Sequence, residues 1–295
     1  MEHLYKKLSS YGASDYYAFH MPGHKRNMEL MRARLPYNID ITEIDGFDDL
    51  HHAEGLLKEL QENAARVFHA EETHYLVNGS TVGLLSAVMG CTERGGRILM
   101  ARNCHKSVYN AVYMNELRPV YVYPEFSEET DLNGEVHVDQ VKKLLEEYED
   151  IQAVVIVSPT YEGVVSDLEA IAEIVHEYKI PLIIDEAHGA HFGFHSYFPQ
   201  NANTRGADVV IHSLHKTLSS LTQTALLHMN GRYADREKIR NYLHMLQSSS
   251  PSYILMASID ECVWAMDERR EEIMDTYVER LQQTRERLKQ LKNIK

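Results

Sequence analysis

Apolar residues fall along this chain in short dense runs, separated by longer stretches with helical spacing. The runs at 153–157, 182–184, 209–212 and 225–229 are nearly continuous, and those at 74–77, 97–100 and 120–123 are strand-like. Continuous short runs are the mark of strands buried on both faces. Between them, Leu56, Leu57, Leu60, Ala64 and Val67 repeat at helical intervals over residues 55–68. Residues 138–148 and 168–178 share that period, with Asp167 placed to cap the second. Strands alternating with helices predict βαβ units. The expected fold is α/β, a mostly parallel seven-stranded sheet with helices on both faces. From about 254 to 292 there is no strand signal, no Pro and no Gly. Glu, Arg, Lys, Gln and Leu dominate there, predicting a long C-terminal helix, broken at most once. No internal repeat or low-complexity segment interrupts the pattern.

At 295 residues the chain can bury a sizeable core. No apolar run approaches the roughly 20 residues that span a bilayer, and the first 20 residues lack an apolar signal core. Three cysteines without paired spacing fit reduced thiols better than a disulfide framework, so a cytoplasmic location is expected. A formal net charge of −14 argues against nucleic acid or anionic membrane as partner and tolerates a cationic substrate.

In open α/β sheets, ligands bind beyond the carboxyl ends of the strands. After 74–77 come Asn78, Gly79, Ser80, Thr81 and Gly83, a turn that offers N–H groups and hydroxyls to a phosphate or simply caps a helix. It is not a P-loop, since no GxxxxGK[ST] is present. After 97–100 comes His105: a catalytic group, a stacking ring, or a satisfied residue at a helix start. After 153–157 the polar turn 158–163 follows. After 182–184 comes Asp185, and a carboxylate closing a buried strand is costly unless it meets a cation or donor. After 209–212 come Ser213, Leu214, His215 and Lys216. A phosphate-type turn, a buried aspartate, a histidine and a lysine at neighbouring strand ends suit pyridoxal 5'-phosphate. That cofactor has a phosphate, a ring nitrogen that works best protonated, a face to cover and an aldehyde that bonds a lysine. A metal site is the rival use of His188, His191 and His195, or of His51 and His52. Neither HExxH nor a CxxC pair is present, and Gly189 and Gly193 weaken a helix through the first group, so no metal is expected.

The sequence resembles the Orn/Lys/Arg decarboxylases, fold-type-I pyridoxal-phosphate enzymes, over nearly its whole length. The resemblance rests on FHMPGHKRN (19–27), DITEIDGFDDLHHAEG (40–55), NGSTVG (78–83), RNCHKS (102–107), SPTYEG (158–163), DEAHGAH (185–191), HSLHKTL (212–218) and SSSPSYILMASID (248–260), in family order. The form is closest to the shorter bacterial arginine or lysine decarboxylases. It implies decarboxylation of arginine, lysine or ornithine to the amine and CO2, in polyamine biosynthesis. Lys216 would bond the cofactor aldehyde, Asp185 would pair with the ring nitrogen, and His105 would stack on the ring. Gly79, Ser80, Thr81, Ser213 and His215 would surround the phosphate, with His188 beside the ring. It also implies a homodimer or larger assembly, in which 40–55 and 248–253 serve a neighbouring subunit's site. The expected organisation is an N-terminal segment (1–55), a cofactor-binding large domain (56–250) and a helix (251–295). In the family that helix leads to a smaller C-terminal domain that this sequence lacks, so the chain is read as a fragment or a shortened protein. Candidate carboxylates for the substrate's distal cation are Glu43, Asp45, Asp48, Asp49 and Glu162, each alternatively a solvated charge. The rival functions are an aminotransferase or β-eliminating lyase on the same fold, and an inactive cofactor-binding module.

Overall fold

The computed structural model describes residues 1–29 and 31–291. The strands in chain order are β1 (Glu72–Leu76), β2 (Arg97–Ala101), β3 (Arg118–Val122), β4 (Phe126–Ser127), β5 (Leu132–Asn133), β6 (Ile151–Val157), β7 (Leu182–Asp185), β8 (Val209–His212) and β9 (Ala225–Met229). Seven of them form one sheet in the order β1-β9-β8-β7-β6-β2-β3, while β4 and β5 make a separate small hairpin. The seven sheet strands are those expected from the apolar runs, with ends shifted by up to two residues. From β3 to β8 every pairing is parallel, and β9 alone runs antiparallel to its neighbours β8 and β1.

Every residue of β7, β8 and β9 is buried. The centre of the sheet therefore needs apolar side chains at consecutive positions. At the β1 edge successive residues separate: Leu76 joins the cluster that includes Val82, Leu84 and Ile211, and Tyr75 and Val77 join one with Leu57, Leu60 and Tyr253. This two-residue alternation places helix Gly79–Gly90 on one face and helices Leu56–Val67 and Tyr253–Glu268 on the other.

The long C-terminal helix is broken once. Tyr253–Glu268 ends at Arg269, which leaves the helical region at φ −127°, and Arg270–Leu288 follows. Of the second helix only Met274 and Val278 are buried. It is tethered by Arg285 Nη1, which donates to Tyr197 Oη at 2.6 Å, by His195 against Asp275 at 3.3 Å, and by Tyr277 stacked on Phe198. Residues 292–295, where the expected helix and C-terminal segment end, lie outside the described residues. Asp167 caps Leu168–Glu177 as expected, accepting from Ala170 N at 3.3 Å. At the other terminus, buried Asp260 accepts from Leu4 N at 2.8 Å and docks helix Leu4–Gly12.

Glu72 braces the start of β1. Burial alone would raise its carboxyl, but hydrogen bonds from His74 and Arg240 outweigh that and hold it at about 2. A group depressed on folding contributes stability that is complete above its ordinary value, 4.5, and is lost as pH falls toward 2. The stability difference between wild type and Glu72→Gln, measured by urea unfolding, is therefore expected to be constant above pH 4.5 and to shrink below it. A difference that stays flat to low pH would mean that the brace contributes nothing.

Candidate active site

The carboxyl ends of β1, β2, β7 and β8 open on a cavity of about 340 Å³, within the roughly 300–1,000 Å³ typical of small-molecule sites. Its walls bring together Gly79, Ser80, Thr81, His105, Asp185, Ser213, His215 and Lys216. His188, the remaining expected site residue, touches Lys216 from beside the cavity.

Helix Gly79–Gly90 begins at the end of β1 with no side-chain cap. The N–H groups that follow Gly79 are thus left for a ligand, at the end of a helix where the backbone dipole favours an anion. Gly79 takes φ +73°, which costs glycine little, and its N–H donates to Gln223 O at 2.9 Å. Ser80 and Ser213 meet hydroxyl to hydroxyl at 2.5 Å, joining the turn after β1 to the turn after β8. His215 Nδ1 donates to Thr224 O at 2.9 Å, which fixes that ring's proton and orientation.

Asp185 closes β7 and is 4% exposed. One carboxylate oxygen accepts from Ala187 N at 3.2 Å. Burial pushes the carboxyl up, against the Ala187 N–H, the positive charge of Lys216 and, when it is protonated, His105, which pull it down. A cation in the cavity would complete its partners. His105 caps helix Lys106–Met114: its Nδ1 accepts from Ser107 N at 3.3 Å and lies 2.8 Å from Ser107 Oγ. Burial lowers its pKa, so a neutral ring with its proton on Nε2 lines the cavity. Lys216 sits on the short helix Leu214–Thr217, and its Nζ donates to His188 Nε2 at 3.1 Å. Burial first, and Lys216 second, lower the pKa of His188, which keeps it neutral and able to accept.

Thr222 and Gln223 also line the cavity and were not anticipated. They enter because β9 runs antiparallel, so its leading end lies beside the trailing ends of β1 and β8, with Ala225 opposite Leu76 and Leu226 opposite His212. The sequence signal for them is the short span between Lys216 and the run at 225–229. Gln223 adopts φ +84°, and its side-chain amide donates to Val77 O at 2.7 Å.

The three histidines of the metal alternative diverge. His188 faces Lys216, His191 is packed between Phe192 and Phe198, and His195 pairs with Asp275. Among the described residues no three His, Cys, Asp or Glu side chains converge as metal ligands. Two of the candidate substrate carboxylates are already engaged. Asp48 accepts from the backbone N–H groups of Asp49, Glu54, Gly55 and Leu57, and Asp49 accepts from His51 N. Glu43, Asp45 and Glu162 are exposed. Segments 40–55 and 248–253 meet within this chain, where Tyr253 Oη donates to Asp48 O at 2.5 Å and His51 Nε2 donates to Ser248 O at 2.9 Å. A larger cavity, about 530 Å³, lies beside the start of β1, but Glu72 there is committed to His74 and Arg240. The smaller one holds the free helix end and the lysine.

Gly189 lets the His188 loop approach closely. A Cβ there would meet Glu186 Cγ and Pro159 Cδ, each at 2.7 Å. Gly189→Ala is expected to destabilise the fold by about 1–3 kcal/mol in urea unfolding, the usual cost of overpacking. Unchanged stability would mean that the loop yields freely.

The sequence profile of the Orn/Lys/Arg decarboxylase major domain matches residues 2–295. An uncharacterized protein, YaaO, of Bacillus subtilis (strain 168) is 41% identical over 263 residues, covering 87% of this chain and 55% of that protein. Arginine decarboxylase of the same organism is 32% identical over 297 residues, covering 99% of this chain and 61% of that one. The chain therefore spans little more than half the length of these relatives. The structure of E. coli constitutive lysine decarboxylase superimposes with a TM-score of 0.82 at 24% identity, over 96% of this chain and 43% of that one. The fold is thus that of the fold-type-I pyridoxal-phosphate enzymes. Pyridoxal 5'-phosphate is the cofactor of the decarboxylase family. The residues present fit it: an uncapped helix end with two serine hydroxyls for a phosphate, a buried carboxylate open to a cation, and a lysine at the mouth. With the profile matched along the chain and the matching fold beneath it, this protein belongs to the Orn/Lys/Arg decarboxylase family.

Proposed function

We propose that this chain builds the cofactor site of a decarboxylase that converts a basic amino acid, arginine, lysine or ornithine, to its amine and CO2. The observation that carries the reading is the convergence of Lys216, Asp185 and the free end of helix Gly79–Gly90 on one cavity. Bound pyridoxal phosphate supplies an electron-poor ring that accepts the electrons left behind when CO2 departs. The protein's part is to bind, orient and move protons. Ser80, Thr81, Ser213, His215 and the N–H groups that follow Gly79 would hold the phosphate. Asp185 would hold a proton on the ring nitrogen, and that cation would offset the cost of burying the carboxylate. His105 would lie against the ring. Lys216 would hold the aldehyde, which requires its amine to be neutral. His188 Nε2, 3.1 Å from Lys216 Nζ, is placed to take the proton that the lysine gives up. Either Lys216 or His188 would supply the proton for the substrate α-carbon.

The net charge of −14 favours a cationic substrate. Exposed Glu162, whose charge raises the pKa of His188 against the effect of burial, is the carboxylate best placed to meet the distal amine or guanidinium. The active unit is a homodimer or larger assembly, with 40–55 and 248–253 at the contact.

Reduction with borohydride after adding pyridoxal phosphate, followed by peptide mass mapping, is expected to find the cofactor mass on Lys216. Adducts scattered over surface lysines would overturn the reading. Lys216→Ala is expected to lose the adduct and all amine production, and appreciable turnover in that variant would remove Lys216 from the chemistry. Asp185→Ala is expected to retain some bound cofactor and to lose at least about a hundredfold in rate, the lower range for removing a proton-holding group. An unchanged rate would assign the ring nitrogen to another residue. Production of amine and CO2, rather than a keto acid, separates decarboxylation from amino transfer.

A further inference from the structure

Behind the site, four buried side chains form a continuous line of hydrogen bonds that the proposed chemistry does not use. Glu186 Oε2 accepts from His212 Nε2 at 2.7 Å and from Ala202 N at 3.0 Å. His228 Nε2 lies 3.0 Å from His212 Nδ1, and Thr73 Oγ1 lies 2.7 Å from His228 Nδ1. Both imidazoles are fully buried against the ring of Phe68, and Glu186 is 1% exposed.

The direction of the line follows from its end. Glu186 Oε2 receives two donors, so His212 carries its proton on Nε2. Its Nδ1 then accepts from His228 Nε2–H, whose own Nδ1 accepts from the Thr73 hydroxyl. Each of the three bonds thus pairs one donor with one acceptor.

Its placement in the chain ties it to the cofactor site. Glu186 follows Asp185 directly, and His212 directly precedes Ser213. The Glu186–His212 bond thus clamps the end of β7 to the end of β8, one residue away from groups that face the cavity. The Ala202 bond anchors the returning end of the loop that carries His188. Apolar neighbours would tolerate sliding between the strand ends, whereas a dry carboxyl–imidazole hydrogen bond holds one distance and one orientation.

We propose that Glu186 and His212 are positioning residues for the cofactor: their hydrogen bond sets the spacing between Asp185 and the Ser213–Lys216 turn, so that cofactor affinity depends on it. The inference rests on the cofactor site proposed above.

The test is titration of the full chain with pyridoxal phosphate, followed by visible absorbance, in wild type, Glu186→Gln and His212→Asn. Thr92→Val serves as a control for destabilisation alone. Thr92 makes buried hydrogen bonds to Val88 O and Asn115 beyond the far end of helix Gly79–Gly90. The two positioning variants are expected to raise the dissociation constant about tenfold or more, as for loss of one buried hydrogen bond at the site, and the control to leave it within about twofold. Unchanged affinity in either positioning variant, or equal weakening in Thr92→Val, overturns the proposal. A measurement on the wild-type chain avoids dependence on variant folding: with 15N-labelled histidine, the His212 and His228 imidazole N–H signals are expected to move when pyridoxal phosphate is added. Signals that stay in place as the cofactor binds also overturn it. Wild-type protein that forms no adduct at Lys216 removes the cofactor reading itself, a result distinct from a wild type that binds normally beside variants that bind as well.

Discussion

A carboxylate at the end of a buried strand is the constraint on which the site turns. Asp185 sits where β7 lies between β6 and β8, almost without water. Burial raises the cost of its charge, and the single Ala187 N–H repays only part of that. The other contributions come from positive charge across the cavity, at Lys216 and at His105 when protonated. A ligand that brings a cation to this point gains from a field that the fold has already set up, without rearranging the protein.

The parallel sheet makes that arrangement possible. Because β1, β2, β7 and β8 end on one edge, their trailing turns converge although they are far apart in the chain. The one reversed strand, β9, closes the same edge from its leading end through Gln223 and Thr224. Hydrogen bonds then stitch turn to turn: Ser80 to Ser213, Gly79 to Gln223, and His215 to Thr224. Lys216 stands on a single helical turn, held at one end by β8 and at its side chain by His188.

Two faces of the sheet have different duties at this edge. One side of the strand ends presents polar groups to the cavity. The other holds the line from Glu186 to Thr73 within the core, between β7 and β1. Adjacent residues of an extended chain point in opposite directions. Two neighbours in sequence, Asp185 and Glu186, therefore separate into a cavity group and a core group. The N-terminal segment and the helix Tyr253–Glu268 cover that second face through the cluster around Leu57, Leu60 and Tyr253.

The apolar pattern by itself marked the seven sheet strands, because strands buried on both faces must be apolar at nearly every position, and their alternation with helices marked a mostly parallel sheet. Turn chemistry at the strand ends was equally legible: Gly79, Ser80, Thr81, Asp185, Ser213 and Lys216 stand out as polar residues directly after apolar runs. Tertiary structure alone decided which of many similar polar residues share a site. Asp48 and Asp49 looked like free carboxylates in the sequence and are occupied by backbone N–H groups. Thr222 and Gln223 looked like a loop and join the cavity, because strand direction is set by long-range pairing rather than by local pattern. The line from Glu186 through His212 and His228 to Thr73 has no local signature either. Its members come from β1, β8, β9 and the turn after β7 and meet only when the sheet assembles, since hydrogen bonding between side chains depends on distance in space and not on separation in sequence.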